Sequence, residues 1–580
     1  MSFSIAHAGP TALRSAWLPP FRKAGAFYPM IRLRRGAAGP APVKSGAAGR
    51  RHAPAPFQDM PTPIFATSPG RDGSNADMQE FDLLVIGGGI NGVGIARDAA
   101  GRGLSVLLCD KGDLSGGTSS RSSRLIHGGL RYLEYGEFRL VREALRERET
   151  LLRIAPHLVR PMRFVLPQVP GMRPAWMLRA GLFLYDHLAP RQRLAPSAAI
   201  ELDRVPEGAA VRPQIRRGFV YSDCHTDDSR LVLANAISAQ RLGAIIRTRT
   251  ELLRAQRDEA GRWRAQLHDL ESGARSSCTA RGLVNAAGPW IEAVGARIEG
   301  TGLRPHARLV QGSHIVVSRF WDGDHAYLLQ HTDRRVIFAA PYEPGFAMIG
   351  TTELPCSGTP EQAGITPTEI DYLCCAVNRQ LRCQLAPADV RHAYSGVRCL
   401  VDDERDSASA VTRDYRIEHE VRAGQAPYLV VLGGKVTTFR RLGEHALELL
   451  QAAFPKLGPA WTGRQPLPGG ELPGGDRDAA ESDFLSDFAF LPAHHARSLF
   501  NRHGSEARRL LAGISSLAAM GRHFGAGLYE CEAQHFVREE WARSAQDILW
   551  RRTKCGLQMT PEQATRLQDW IEHARPGQGT

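Results

Sequence analysis

The sequence predicts an α/β fold: a dinucleotide-binding strand–turn–helix begins the folded part of the chain, and an all-α domain ends it. Three observations carry this. Phe81 and the apolar run Leu83–Ile86 enter Gly87, Gly89 and Gly92 at G-x-G-x-x-G spacing. A second apolar run, 104–109, ends in Asp110, 23 positions beyond Gly87. Residues 478–575 lose the strand-like runs and read as helices.

The glycine spacing is chemically specific in this setting. The first glycine allows a tight turn, the second lets backbone approach a pyrophosphate, and the third lets helix and strand pack closely. The N–H groups opening the helix over 93–100 then face phosphate charge. An acid about 20 residues further on holds an adenosine ribose, and Asp110 stands there. After it, Lys111 to Ser120 and RSSRLIHGGLRYLE pack small hydroxyl residues, glycine pairs and arginines into a lining of donors. That lining suits a second phosphate or a flavin ring edge, and a flexible Ser/Gly loop is the alternative. A helix over 138–147 closes it, with Phe138, Val141 and Leu145 on one face.

The 580 residues suffice for two or three domains, and 43% hydrophobic with 23% charged content is that of a soluble globular chain. No apolar run reaches the roughly 18–20 residues of a membrane span. Of the +13 net charge about half falls in residues 1–77, which hold ten Lys or Arg and three acids. This segment is rich in Ala, Gly, Pro and Arg without periodicity, so we expect it to be disordered. It is too proline-broken for a transit helix, and Arg34-Arg35 lacks a following hydrophobic signal core. Translation starting at Met78 is the favoured expectation. The ten cysteines show no metal spacing, and vicinal Cys374-Cys375 suits neither a metal nor an easy disulfide. Reduced thiols in the cytosol follow, and no metal site is expected.

The motifs then point to one family. IGGGINGVGIARDAAGRGLSVLLCDKGDL, TSSRSSRLIHGGLRYLEYGEFRLVREAL and APHLVRPMRFVLP are followed by YSDCHTDDSRLVLANA, RGLVNAAGPW and QGSHIVV. YSGVRCL, VTRDY, GGKVTTFR and DILWRRTKCGL complete the set. Over roughly 78–570 the chain resembles the aerobic, bacterial-type FAD-dependent glycerol-3-phosphate dehydrogenases. The resemblance implies an FAD-binding Rossmann-like domain with an inserted β-rich substrate domain, interleaved over 78–455, and the helical domain over 456–580. The composition shift at Pro466–Gly475 marks the boundary.

It also implies a reaction: FAD-dependent oxidation of sn-glycerol 3-phosphate to dihydroxyacetone phosphate, with hydride passing to flavin N5 and electrons to a quinone. FAD contacts carry over to Gly87, Gly89, Gly92, Asp110, Thr118 and Ser119. They extend to His127, Gly128, Gly129, Gly288, Gly433, Gly434 and Lys435. Arg398 becomes the phosphate anchor, with Arg131, Tyr132 and Arg413 around it, since guanidinium forks match phosphate oxygens. His314 is the leading general base and Lys435 the runner-up. Each of these has an ordinary reading too: a single His beside a strand is usually a satisfied core residue, and Arg398 could be a plain ion pair. The family's partners are a quinone and the inner face of the cytoplasmic membrane, with a homodimer also expected. No calcium-loop pattern occurs, unlike in the mitochondrial relatives.

Residues 158–193 include Pro161, Pro167, Pro170 and Pro174 and are expected to be more loop and short strand than helix. The apolar, aromatic and basic stretch 173–185 suits a membrane interface, although such stripes are more often core. Leu283-Val284 running into Ala286-Ala287-Gly288-Pro289 reads as a strand end beside a ligand. Thr560-Pro561 with Gln563 marks a helix start. Two rivals stay open. One is a flavin oxidase of another small substrate using oxygen. The other is a basic FAD protein binding RNA, against which no aromatic–basic RNA motif appears, so no nucleic-acid partner is expected.

Overall fold

A computed structural model describes residues 78–574 apart from 334, 357 and 403–413. The expectations for residues 1–77 and for Arg413 lie outside the described residues.

Strand β1 (Leu83–Ile86) is wholly buried. Its unbroken apolar run is what a strand covered on both faces requires. It leads into α1 (Ile90–Gly101), and β2 (Val106–Cys109) returns parallel beside it, Leu83 opposite Val106 and Ile86 opposite Cys109. Then come α2 (Phe138–Ile154) and α3 (Ala175–His187). Helix α4 (Asp228–Arg241) is capped by Asp227, whose carboxylate accepts from Arg230 N at 3.0 Å. The strands β3 (Ile245–Arg247), β4 (Leu283–Asn285), β5 (Ala307–Ser318), β6 (Val390–Val401), β7 (Arg416–Arg422) and β8 (Gln425–Leu432) precede α5 (Phe439–Leu450). The nucleotide-type sheet runs β7-β8-β4-β1-β2-β3 and is parallel except for β7 against β8.

Helices α1, α4 and α5 cover one face of this sheet, where Val93, Leu231 and Leu442 meet Leu83, Val85 and Leu429. A four-stranded sheet covers the other through Trp263 and Tyr428. A separate ten-stranded sheet holds β5 and β6, paired antiparallel from Ala307–Val401 to Val317–Val390. This is the inserted β-rich region the fold reading expected.

The stretch 158–193 is strand and loop over most of its length, as expected, and holds one helix. A strand, Val159–Pro167, is followed by the 13-residue helix α3. The prolines flank the helix instead of interrupting it: Pro174 stands immediately before it and Pro190 after it. Inside α3, Leu178, Leu182 and Tyr185 are buried, whereas Trp176 (72%) and Phe183 (61%) stand in solvent.

The C-terminal region is helical over Arg477–Asp487, Ala493–His503, Glu530–Glu539 and Pro561–Ala574, with one two-stranded hairpin (His523–Gly525, Leu528–Tyr529) as the exception. The expected helix start is present: Gln563 N donates to Thr560 Oγ1 at 3.3 Å, and Thr560 N to Gln563 Oε1 at 2.9 Å. Arg230 of α4 binds Glu540 at 2.5 and 2.9 Å, both groups buried. Truncating one partner of such a pair strands the other charge, at a cost of about 3–5 kcal/mol. All ten cysteines are free thiols. Among the described residues no helix is long and apolar enough to cross a membrane.

Candidate active site

A cavity of about 960 Å³ opens where the C-terminal ends of β1, β2 and β4 face β5 and β6, the crevice in which open α/β sheets bind ligands. Its first arm is the glycine turn. Gly87 has φ +115°, and a Cβ there would stand 2.5 Å from Ala286 O. At Gly92 a Cβ would meet Gly87 O at 1.9 Å, so this glycine packs behind the wall and does not line the cavity. At Gly89 a Cβ would meet only Ser119 Oγ, at 3.1 Å. Gly89 also begins α1 without a side-chain cap, leaving the helix terminus open to an anion.

Ser119 Oγ accepts from Ile90 N at 3.0 Å, and Thr118 Oγ1 donates to Val397 O at 2.5 Å. Asn91 donates through Nδ2 to Gly433 O at 3.2 Å, while its buried Oδ1 has no partner among the described residues. Asp110 accepts from Gly88 N at 2.6 Å and Gly112 N at 2.7 Å. Burial nonetheless raises its carboxyl above the ordinary range.

The second arm carries Gly129, His127, Arg131, Tyr132, His314 and Arg398, joined by Gly288, Gly433, Gly434 and Lys435. Gly128 stands behind it, its N–H donating to Tyr185 Oη at 2.7 Å. The Lys435 ammonium sits 3.8 Å from the centre of the Tyr132 ring, a cation–π contact. Arg398 pairs with Glu353 at 3.2 Å and reaches Thr351 Oγ1 at 3.4 Å.

His314 is 2% exposed. Its Nε2 lies 2.9 Å from Ser123 Oγ, its Nδ1 is buried without a partner among the described residues, and its ring stacks on Tyr394 at 4.9 Å. Burial first, and the Arg398 charge second, lower its imidazole to about 3. His127 is lowered to about 3 as well, by burial and by Lys435 and Arg148. Both rings are therefore neutral near pH 7.

Several cavity residues escaped the sequence reading. Gly312 of β5 and Gly396 of β6 are direct partners across the ladder. Together they make a side-chain-free patch between the His314–Tyr394 pair and the Val310–Arg398 pair. Glycine inside a strand marks close approach of a ligand or another backbone. The quoted QGSH and SGVR stretches held that signal. Glu353, Asn91 and Arg551 carry no local signature; only the fold brings them here.

Two family models match. An FAD-dependent oxidoreductase model covers residues 82–436, and the model for the C-terminal domain of alpha-glycerophosphate oxidase covers 460–574. The chain belongs to the FAD-dependent oxidoreductases. Among relatives of this family, a Pseudomonas aeruginosa protein named glycerol-3-phosphate dehydrogenase is 49% identical over 500 residues, 86% of this chain and 96% of the relative. The Escherichia coli aerobic glycerol-3-phosphate dehydrogenase is 47% identical over 498 residues, 85% and 98% of the two chains. A Brucella abortus D-erythritol 1-phosphate dehydrogenase is also 47% identical, over 502 residues, 86% and 99%. The glycerol-3-phosphate dehydrogenase structure from Bacillus halodurans, complexed with FAD, superposes with TM-score 0.64 at 24% identity, over 86% of this chain and 96% of that one, which shows the fold.

The residues present fit FAD. The cradle at Gly87 and Gly89 suits the diphosphate, and Asp110 the ribose hydroxyls. The orphaned Asn91 Oδ1 and the half-buried His127 offer polar groups along the remaining wall. This oxidoreductase therefore carries a dinucleotide cradle and a cluster of cations on one continuous cavity.

Proposed function

We propose that the chain oxidises the secondary hydroxyl of sn-glycerol 3-phosphate to the ketone of dihydroxyacetone phosphate and delivers the electrons to a quinone. The observation that carries this is the meeting of Arg131, Arg398 and Lys435 with His314 in the same cavity as the dinucleotide cradle. Bound FAD supplies the two-electron acceptor for the C2 hydrogen.

The chain's own residues do the rest. Arg398 and Arg131 fork onto phosphate oxygens, and Lys435, braced on Tyr132, adds a point charge. The hydroxyl proton reaches His314 at Nε2, directly or by exchange through Ser123 Oγ, because Nδ1 is closed off from water. A dianionic phosphate on Arg398 cancels the charge that holds His314 down, so substrate binding itself raises the base's proton affinity. Arg413 belongs to the same reading as a further phosphate ligand. Lys435 fits better as phosphate ligand than as base, since its contact with Tyr132 is one that a cation makes.

The outer face of α3 serves the acceptor side of this reading. Trp176 and Phe183 are exposed beside Arg179, while Met177, Leu178 and Leu184 of the same helix line the cavity. An apolar, aromatic and basic face suits the interfacial region of an anionic membrane. It would lie on the inner face of the cytoplasmic membrane, where a lipid-borne quinone has a short route inward. Trp176→Ser with Phe183→Ser should abolish flotation with phosphatidylglycerol vesicles and leave glycerol 3-phosphate oxidation with a soluble dye acceptor intact. Loss of dye-linked activity as well would count against this surface. A homodimer completes the reading and is checked by sedimentation equilibrium.

Anaerobic bleaching of the flavin band tests the substrate. Glycerol 3-phosphate should bleach it rapidly and glycerol should not; an unchanged spectrum refutes the assignment. A four-carbon polyol phosphate is the second reading, favoured by the Brucella relative. Faster bleaching by D-erythritol 1-phosphate would select it.

A further inference from the structure

The mechanism above leaves unused an arginine, Arg551, that the helical C-terminal region sends to the wall of the cofactor cavity. After the short helix Ala545–Asp547 the backbone widens into a π-turn, Ile548–Arg552, a distortion frequent at functional sites. It presents two consecutive arginines to the loop that follows β2. Arg552 is wholly buried and grips Asp113 with both of its terminal nitrogens, Nη2 to Oδ1 at 2.9 Å. Arg551 binds the same carboxylate, Nε to Oδ2 at 2.5 Å, and also Asp547. Arg249 reaches Asp547 Oδ2 at 2.5 Å, and its backbone N–H donates to Gly112 O at 2.8 Å.

Asp113 is therefore the knot that ties the 110–117 loop to the C-terminal domain. That loop carries Asp110, the ribose acid, three residues away, and Ser115 N donates to Gly88 O at 3.0 Å in the glycine turn. Arg551 also lines the cavity, as does Arg121. Around the knot, three carboxylates, Asp113, Asp547 and Glu271, meet four guanidinium groups, Arg249, Arg551, Arg552 and, through Glu271, Arg543. An anion on the cavity side would complete the balance. The like charge of Arg551 lowers Arg121, after burial, which agrees with two cations facing one volume.

We infer that the C-terminal domain is part of the cofactor site: Arg551, held by Asp113 and Asp547, binds the diphosphate–adenosine half of FAD, and the Asp113 knot keeps the ribose-binding loop in place. FAD retention then depends on a domain that has its own separate family model and begins more than 360 residues beyond the glycine turn in sequence. The inference rests on membership of the FAD family and is independent of the substrate proposed above.

Arg551→Met in the full-length holoenzyme removes the charge and keeps the length. Flavin fluorescence on serial dilution should show FAD released with a dissociation constant about 10–100-fold higher, the range of one lost charge-assisted hydrogen bond. Arg551→Lys should fall between the two. ADP should displace FAD from wild type, and its competition should weaken in parallel in Arg551→Met. KM for glycerol 3-phosphate in saturating FAD should stay within twofold. An FAD dissociation constant within twofold of wild type overturns the inference, as does an equal rise in KM, which would signal general loosening.

Hydrogen exchange on wild type keeps the test alive if the variants fold poorly. Comparing FAD-loaded with FAD-stripped protein, amides of 548–557 should gain protection together with 87–92 and 110–117. Protection confined to the two N-terminal segments refutes the role of the C-terminal domain.

Discussion

Arg398→Met offers the sharpest test of the phosphate pocket, because the residue touches three things at once. A guanidinium fork on phosphate gives two charge-assisted hydrogen bonds, each contributing about 1.5–3 kcal/mol. Losing both predicts a fall of roughly 10²–10⁴ in kcat/KM at about 1.4 kcal/mol per decade. The substitution also strips Glu353 of the partner that holds it at 3.2 Å, leaving a carboxylate facing the dianion, so the effect should lie toward the upper end. The third contact is electrostatic. Arg398 is the charge that, after burial, holds His314 down, so its removal should raise the proton affinity of the imidazole. Steady-state assays with a dye acceptor against glycerol 3-phosphate and glycerol, from pH 5 to 9, separate the effects. Glycerol turnover should change by less than about threefold. Equal losses on both substrates would refute the assignment of Arg398 as anchor.

Further outcomes follow from other contacts. His314→Gln should lower kcat by ~10²–10⁴ and flatten the pH profile; a variant that retains the wild-type profile would exclude His314 as the proton acceptor. Glu369 accepts from Ser313 Oγ at 2.8 Å, Thr352 Oγ1 at 2.6 Å and Thr366 N at 2.9 Å, clamping the segments that bear His314 and Thr351. Glu369→Gln should therefore raise KM by about tenfold at unchanged FAD affinity, and a lowered melting temperature with unchanged KM would show that it only supports the fold. Burial lowers His127, His157 and His314 to about 3 and His495 and His503 to about 4. Unfolding therefore takes up protons below the ordinary histidine value near 6.5. Stability should be full above about pH 6.5 and fall steadily as pH drops toward 4, and urea midpoints unchanged between pH 7.5 and 5 would contradict it.

The cofactor arm was legible because its constraints are local. Gly87, Gly89 and Gly92 each answer one steric demand within a single turn, and Asp110 ends the next strand. His314, Arg398 and Lys435 were legible only through family motifs, since they come from β5, β6 and the turn after β8, and nothing local marks an arginine in a strand as a ligand. Glu353 and Arg551 went unread because their function is relational: one exists as the partner of Arg398, the other through Asp113. Helix α3 was not singled out because the prolines at 161–174 dominated the reading of a stretch that continues past them. Its exposed face, by contrast, follows the mixed composition that the sequence displayed.

The Gly312–Gly396 pair sets the directions in which this enzyme can be altered. Elsewhere a pocket is enlarged by shortening a side chain; here the floor is already bare peptide, so no substitution can remove more from it. A single methyl can only shrink the space. At Gly312 it would come within 2.7 Å of Thr351 Oγ1 and 3.0 Å of Arg398 Nη2, and at Gly396 within 3.0 Å of Arg121 O. A side chain at Gly312 would therefore press on Thr351 and on the proposed phosphate anchor, and one at Gly396 on the Arg121 backbone, so this part of the wall resists change in either direction.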